Sequence, residues 1–345
     1  MKRFITAISI ILGLTACYPD YIMDYSCSAA YAAYQYDLRT FVYGEDVEVS
    51  FTTALGGVVE NNRNRKVEVE IDSSILSSDL SVFDPQHRAS GFTAIDGLLG
   101  RAPIGTLSQD YVSSEVTSAG ITSLHPLPDS FYATSGPVAI KKGYHTGNLF
   151  LYPTEEMFSD EKVLKPYYAL GFVIRTADAD SVILQKSFQI MAIKVENRFW
   201  GNWYHGGRRV VVRNTDGTIE SDDHYPITFP QSDDRVYNLV TEGFNSVVTD
   251  KLSDGEGSLR LVFSEEDDRI HVEDVSGARE IRDILGQPSH HNGAKLIQDR
   301  EIYLNYSYHD AGGTITYITD TLKFRNRIRD GVNEWQDENS QNYNQ

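Results

Sequence analysis

Cysteine is nearly absent: the 345 residues hold two, Cys17 and Cys27. They allow one disulfide at most, so no disulfide framework holds this chain together. Long apolar runs are as scarce. The apolar run near the N-terminus ends at Leu14 and acidic residues begin at Asp20, so it is too short for the roughly 20 apolar residues that cross a bilayer. Basic residues are in deficit: 31 Lys and Arg stand against 49 Asp and Glu, a formal charge of −18. Nucleic acid and anionic lipid surfaces are poor partners for such a chain, and solubility is sufficient reason for its acidity. Local catalytic signatures are missing too. There is no G-x-S-x-G, Walker P-loop, G-x-G-x-x-G after a strand, or H-E-x-x-H. The chain is read as non-enzymatic, with no catalytic residues, no cofactor and no metal site.

What is present begins with an export signal. Lys2 and Arg3 precede an uncharged run from Phe4 to Leu14, the positive n-region and apolar h-region of a secretory signal peptide. The run ends in "LTAC", residues 14–17, which resembles the lipobox of bacterial lipoproteins. That resemblance implies that the Cys17 thiol takes a diacylglyceryl group, that residues 1–16 are removed, and that the new amine is acylated. Two or more acyl chains are what stable anchoring requires. A thioether-linked Cys17 leaves Cys27 without a disulfide partner. Removing Lys2 and Arg3 from the 31 basic residues leaves 29 against 49 acidic ones, a formal charge of −20. Residues 17–36 read as a lipidated tether, and Asp20 and Asp24 faintly resemble the acidic export tag of Bacteroidota surface lipoproteins.

Beyond the tether, strand signals dominate. "EDVEVSF" (45–51) and "KVEVEI" (66–71) alternate apolar and charged residues, the period of half-buried strands. "GPVAIKKG", "GNLFLYP", "YYALGFVIRT" and "SFQIMAIKVE" are β-branched and aromatic runs punctuated by Gly, Pro and Asp. Many short strands at such spacing over 37–196 suggest a sandwich or a barrel. From 197 to 335 the pattern becomes sequential hairpins: "RRVVVRN", then "NTDGT" with Asp216 and Gly217 suited to a type I′ turn, "SLRLVFSEEDDRIHVED", and "EIYLNYSYHDAGGTITYITDTLKFRNR". That order suits an up-and-down antiparallel barrel or sheet. Helix is expected only in "SSILSSDLSVF" and "REIRDILG", and the polar tail 336–345 is expected to be disordered.

Three features invite chemistry. His290 and His291 are adjacent but lack a third ligand at a recognised spacing, so a solvated loop pair is expected. Asp178 and Asp180 lack the glycine and glutamate of a calcium loop; Glu265–Asp268 reads as a solvated turn. The informative cluster is "NRFWGNWYHGGRR", residues 197–209. Trp200, Trp203 and Tyr204 could stack on the C–H face of a sugar, with Arg208 and Arg209 donating to hydroxyls. The competing reading makes the tryptophans core anchors that plug a barrel end. "GNW" itself is similar to the G-x-W of lipocalins and related calycin barrels. In those barrels the tryptophan closes the bottom under an arginine from near the last strand; Trp203 with Arg325 and Arg327 stands in the matching order.

Over residues 28–335 the chain resembles a family of Bacteroidota outer-membrane lipoproteins of unassigned function. "LPDSFYATSGPVAIKKGYHTGNLFLYP" and "KPYYALGFVI" are similar to the family's immunoglobulin-like N-terminal domain. "FWGNW", "DREIYLNYSYHD", "DTLKFRNR" and "NEW" resemble the calycin-like barrel that follows it in some members. The resemblance implies a lipid-anchored protein facing the cell exterior, often encoded beside nutrient-import pairs, that binds glycans or mediates adhesion. Its alternative is an envelope protein that binds a protein partner through an exposed edge strand or aromatic patch. An open cavity in the barrel would favour a small-ligand carrier instead. A pocket holding two carboxyls of shifted pKa would favour a hydrolase.

Overall fold

The computed structural model describes residues 25–76, 93–101, 110–228, 235–253, 255–310 and 312–337. The signal peptide, Cys17 and residues 338–345 of the tail lie outside them. The chain divides into two compact units. One comprises the segment up to Arg39 together with Glu48–Met157 and Lys165–Ile193; the other comprises Thr40–Val47, Phe158–Leu164 and the chain from Lys194.

Up to residue 197 the strands in chain order are β1 (Ala29–Ala32), β2 (Tyr36–Tyr43), β3 (Val49–Gly56), β4 (Arg65–Ile71), β5 (His125–Pro126), β6 (Tyr132–Thr134), β7 (Val138–Ile140), β8 (Thr146–Pro153), β9 (Tyr168–Ala177), β10 (Ser181–Val182) and β11 (Phe188–Asn197). They form sheets of order β10-β1-β3-β8-β6 and β2-β11-β9-β4-β7. The sheets face each other through rings such as Phe51 on β3 and Phe172 on β9, stacked at 4.9 Å. This is the expected sandwich. β9 and β11 are buried almost without alternation, because two helices, α1 (Ala94–Leu98) and α2 (Asp110–Ser118), join the core formed by Tyr36, Val173, Phe188 and Ile190. Burial on both faces explains why "SFQIMAIKVE" is nearly continuous in apolar residues. Gly97 lets α1 sit on Tyr36, since a Cβ there would come within 2.0 Å of the ring.

The remaining strands are β12 (Gly201–Arg213), β13 (Ile219–Tyr225), β14 (Val236–Gly243), β15 (Ser246–Leu252), β16 (Gly255–Phe263), β17 (Ile270–Asp274), β18 (Arg282–Asp283), β19 (His290–His291), β20 (Glu301–His309), β21 (Thr314–Arg329) and β22 (Val332–Glu334). Their order is β17-β16-β15-β14-β12-β21-β20-β18, with β13 on β12, β19 on β20 and β22 on β21. The far edges meet where Arg269 bridges His290 and the His291 amide donates to Asp268 O at 2.9 Å. The result is a nearly closed antiparallel barrel, as the hairpin pattern predicts. Its core holds Trp203, Tyr237, Leu259, Leu261, Leu304 and Leu322.

Several local expectations change. "REIRDILG" is not helical: Arg282 and Asp283 pair with Ser307 and Tyr306, and the chain turns at Gly286, φ +78°. Ser73–Leu76 of "SSILSSDLSVF" is a single 3-10 turn, and its remainder lies outside the described residues. The β12–β13 turn has positive φ at Gly217 but not at Asp216, so it is not type I′, which needs both. "EDVEVSF" becomes a strand only from Val49. β1 falls within the stretch read as tether, where Ala30 and Ala32 are buried; alanine is small enough to line a strand without signalling one. Glu265–Asp268 is an exposed turn, as expected.

Candidate functional site

Alternation along β12 sorts the aromatic cluster onto opposite faces. Trp203 points into the barrel and is 0% exposed, whereas Asn202 and Tyr204 lie outward and half-buried. The Trp203 indole donates to Phe199 O at 3.0 Å, and the Phe324 ring meets it edge-on at 5.4 Å. Phe199 stacks on Phe263 at 4.1 Å. These rings plug one end of the barrel. Gly201 is required there: at φ +130°, a Cβ would approach Arg327 Cβ and Asn326 O at 2.9 Å each.

The arginines do not cover Trp203. A β-bulge sets Asn202 opposite Asn326 and Trp203 opposite Phe324, which leaves Arg325 as the extra residue. Phe324 therefore takes the place expected of an arginine. Arg325 lies over Tyr204, 5.7 Å from its ring centre, and Arg327 lies over Trp200 at 5.4 Å. Arg327 is held by a buried network. Its Nη1 and Nη2 donate to Glu45 at 3.0 and 2.8 Å, its Nε donates to Glu334 at 2.7 Å, and Arg300 Nη1 donates to Glu45 at 2.6 Å. Burial alone would raise the Glu45 pKa, but Arg327 and then Arg300 bring it down to about 2.

Arg208 is committed to Asp222 through two bonds of 2.7 and 2.6 Å, and Arg209 lies 3.9 Å from Asp223. The cluster thus does not present three rings and two guanidinium groups to one ligand. His290 stacks on Tyr303 at 4.9 Å, and His291 is buried with its ring 4.9 Å from Phe199. The pair is part of the barrel seam and not a solvated loop; burial, the largest influence on His291, lowers its pKa.

What the outer face does present is a row of amides. Asn202 Nδ2 donates to Asn326 Oδ1 at 3.4 Å, and Asn326 Nδ2 donates to Asn333 Oδ1 at 2.6 Å. The row crosses β12, β21 and β22, with Tyr204 and Arg325 beside it and Trp335, 56% exposed, directly after β22. Each amide carries both donors and acceptors. No single-sequence signal marked these asparagines, because their meeting depends on strand register; Trp335 stood in "NEW" with nothing local to give it a role.

The barrel interior carries a second polar group. His205 Nε2 lies 3.0 Å from Asp320 Oδ2, the Tyr225 hydroxyl donates to Asp320 Oδ1 at 2.6 Å, and it also bonds the Ser253 hydroxyl at 2.7 Å. The His205 ring stacks on Tyr237 at 4.3 Å. Nearby, the Tyr306 hydroxyl is fully buried and has no hydrogen-bond partner among the described residues. Burial first, and Asp320 next, push its pKa well up.

No protein-family model matches the chain, and no curated protein does. Among solved structures it is similar to a protein of unknown function from Bacteroides ovatus, with 19% identity, a TM-score of 0.58, and coverage of 91% of this chain and 99% of that one. A second Bacteroides ovatus protein of unknown function matches at 12% identity and TM-score 0.39, covering 89% of this chain and 99% of that chain. A multidomain protein including DUF1735, also from Bacteroides ovatus, matches at 12% and 0.37 with the same coverage. The first likeness shows a shared fold.

Proposed function

We propose that this chain is an outer-membrane lipoprotein, anchored through acylated Cys17 and facing the cell exterior, that binds glycans on the outer face of its barrel. The carrying observation is the amide row Asn202–Asn326–Asn333, with Tyr204 two residues from Asn202 on the same face of β12; Trp335, exposed, follows β22 in the chain. Sugar hydroxyls both donate and accept, as side-chain amides do, while aromatic rings take the apolar C–H faces. The row is fixed in place before any ligand arrives, since Arg327, one residue from Asn326, is clamped between Glu45 and Glu334. Rigid placement lowers the ordering cost of binding. The lipobox resemblance of residues 14–17 supports this setting.

The test is a binding screen of the chain carrying Cys17→Ala against plant, microbial and host polysaccharides, repeated with Tyr204→Ala and Asn326→Ala. Arg208→Ala, on the same strand but paired to Asp222, is the control. Binding that the first two variants lose and the control keeps supports the reading. No binding across the panel, or equal loss in the control, removes it.

A further inference from the structure

Among the described residues the sandwich is open along part of β4. β7 pairs with β4 only at Arg65, Lys66 and Val67, so among the described residues no strand meets the Glu68–Ile71 backbone on that side. A groove of about 440 Å³ opens there, lined by Val67, Val69, Ile71, Thr134, Pro137 and Leu149. A second groove of about 390 Å³ shares Ile71 and continues past Leu127, Tyr132 and Gly171. β6, terminal in the other sheet, supplies Tyr132 and Thr134 to these walls. The inward row of β4 records the missing cover: Val67 is buried, but Val69 and Ile71 are only half-buried.

We propose that this cleft accepts one extended strand of a different polypeptide, added to the β4 edge at Glu68–Ile71, with small apolar side chains facing in and lysine or arginine facing out. The free edge selects the class of partner, because alternating N–H and C=O groups at strand spacing are matched by another β backbone. Valine and isoleucine on the floor select apolar side chains at every second position. The outward positions lie beside Glu68 and Glu70, with Asp72 and Asp129 further along; Arg175 pairs with both Glu70 and Asp72, and Lys66 is the other nearby base, so four carboxylates face two cations and an added cation is favoured across the strand pair. A second copy of this chain is itself acidic, with a formal charge of −18 over the whole sequence, and like net charge disfavours self-pairing.

The test uses the chain with its lipid site replaced, Cys17→Ala, and three synthetic twelve-residue peptides: alternating Val and Lys, alternating Val and Glu, and the Val/Lys sequence interrupted by proline. Amide hydrogen exchange at Glu68–Ile71 is read in parallel with a binding isotherm. The Val/Lys peptide is expected to slow exchange at these amides and to bind at least about tenfold more tightly than the other two. Ile71→Arg, which fills the junction of the grooves, is expected to weaken that binding by at least about tenfold. Should this variant lose its fold, exchange in the unaltered sequence decides alone. Equal binding of the proline-interrupted peptide, tighter binding of the Val/Glu peptide, or no protection of Glu68–Ile71 would overturn the proposal. Concentration-dependent dimerisation that protects the same amides would overturn it in favour of a second copy.

Discussion

The Arg327 guanidinium lies 5.4 Å from the centre of the Trp200 ring while donating two hydrogen bonds to Glu45. A residue near the start of the described chain thereby fixes an arginine on β21 and, through it, an aromatic ring. Removing the carboxylate leaves Arg300 and Arg327 buried without their shared anion. Glu45→Gln is expected to cost about 3 to 5 kcal/mol, measured by urea unfolding.

The same carboxylate ties stability to pH. Its pKa is held at about 2 against an ordinary 4.5, so its contribution is complete above pH 4.5 and is lost as pH falls toward 2. The magnitude is on the order of 3 kcal/mol. His291 acts at higher pH: its pKa is lowered from 6.5, so the stability it contributes is present above 6.5 and declines as pH falls through its folded value. Unfolding free energies followed from pH 7 to 2 should fall in both windows. Glu45→Gln should flatten only the lower one.

The barrel end is the next test. Trp203→Ala removes a fully buried ring and its bond to Phe199 O, and is expected to cost about 3 to 5 kcal/mol. Gly201→Ala, at positive φ and facing contacts of 2.9 Å, is expected to cost about 1 to 3 kcal/mol by thermal unfolding.

Two buried tyrosines should respond in opposite ways. Tyr306→Phe deletes a hydroxyl that has no hydrogen-bond partner among the described residues, so stability should hold or rise by up to about 1 kcal/mol. Tyr225→Phe deletes the group that bonds Asp320 and Ser253, and should cost about 1 to 3 kcal/mol. Paired thermal melts read the contrast.

Anchoring is tested on cells. An alkyne fatty acid should label the chain, and Cys17→Ala should abolish the label and release the protein from the membrane fraction. Label that persists in the variant would place the lipid elsewhere.

Period-2 alternation in "KVEVEI" and the hairpin rhythm from 201 onward made the predominantly β fold legible, since those patterns reflect one buried face per strand. The aromatic cluster was visible for the same reason, but its division was not. Whether Trp203 and Tyr204 share a face is fixed by strand alternation, and which arginine covers which ring is fixed by the bulge opposite Trp203. Glu45 was hidden inside a strand-like run because its partners are more than 250 residues away in sequence. His290 and His291 read as loop because the strand they form is only two residues long, and its pairing with Arg269 and with β20 leaves no periodic pattern in the sequence. The asparagines of the amide row carry no local pattern and acquire a shared role through register alone.

The most direct test of the glycan site is the ratio of dissociation constants between Asn326→Ala and the unaltered sequence, each in the Cys17→Ala background, for the polysaccharide that binds best. Asn326 bonds both other amides of the row, so the ratio is expected to reach at least about tenfold with the melting temperature little changed. Equal affinities in two well-folded proteins would contradict a glycan site on this face of the barrel.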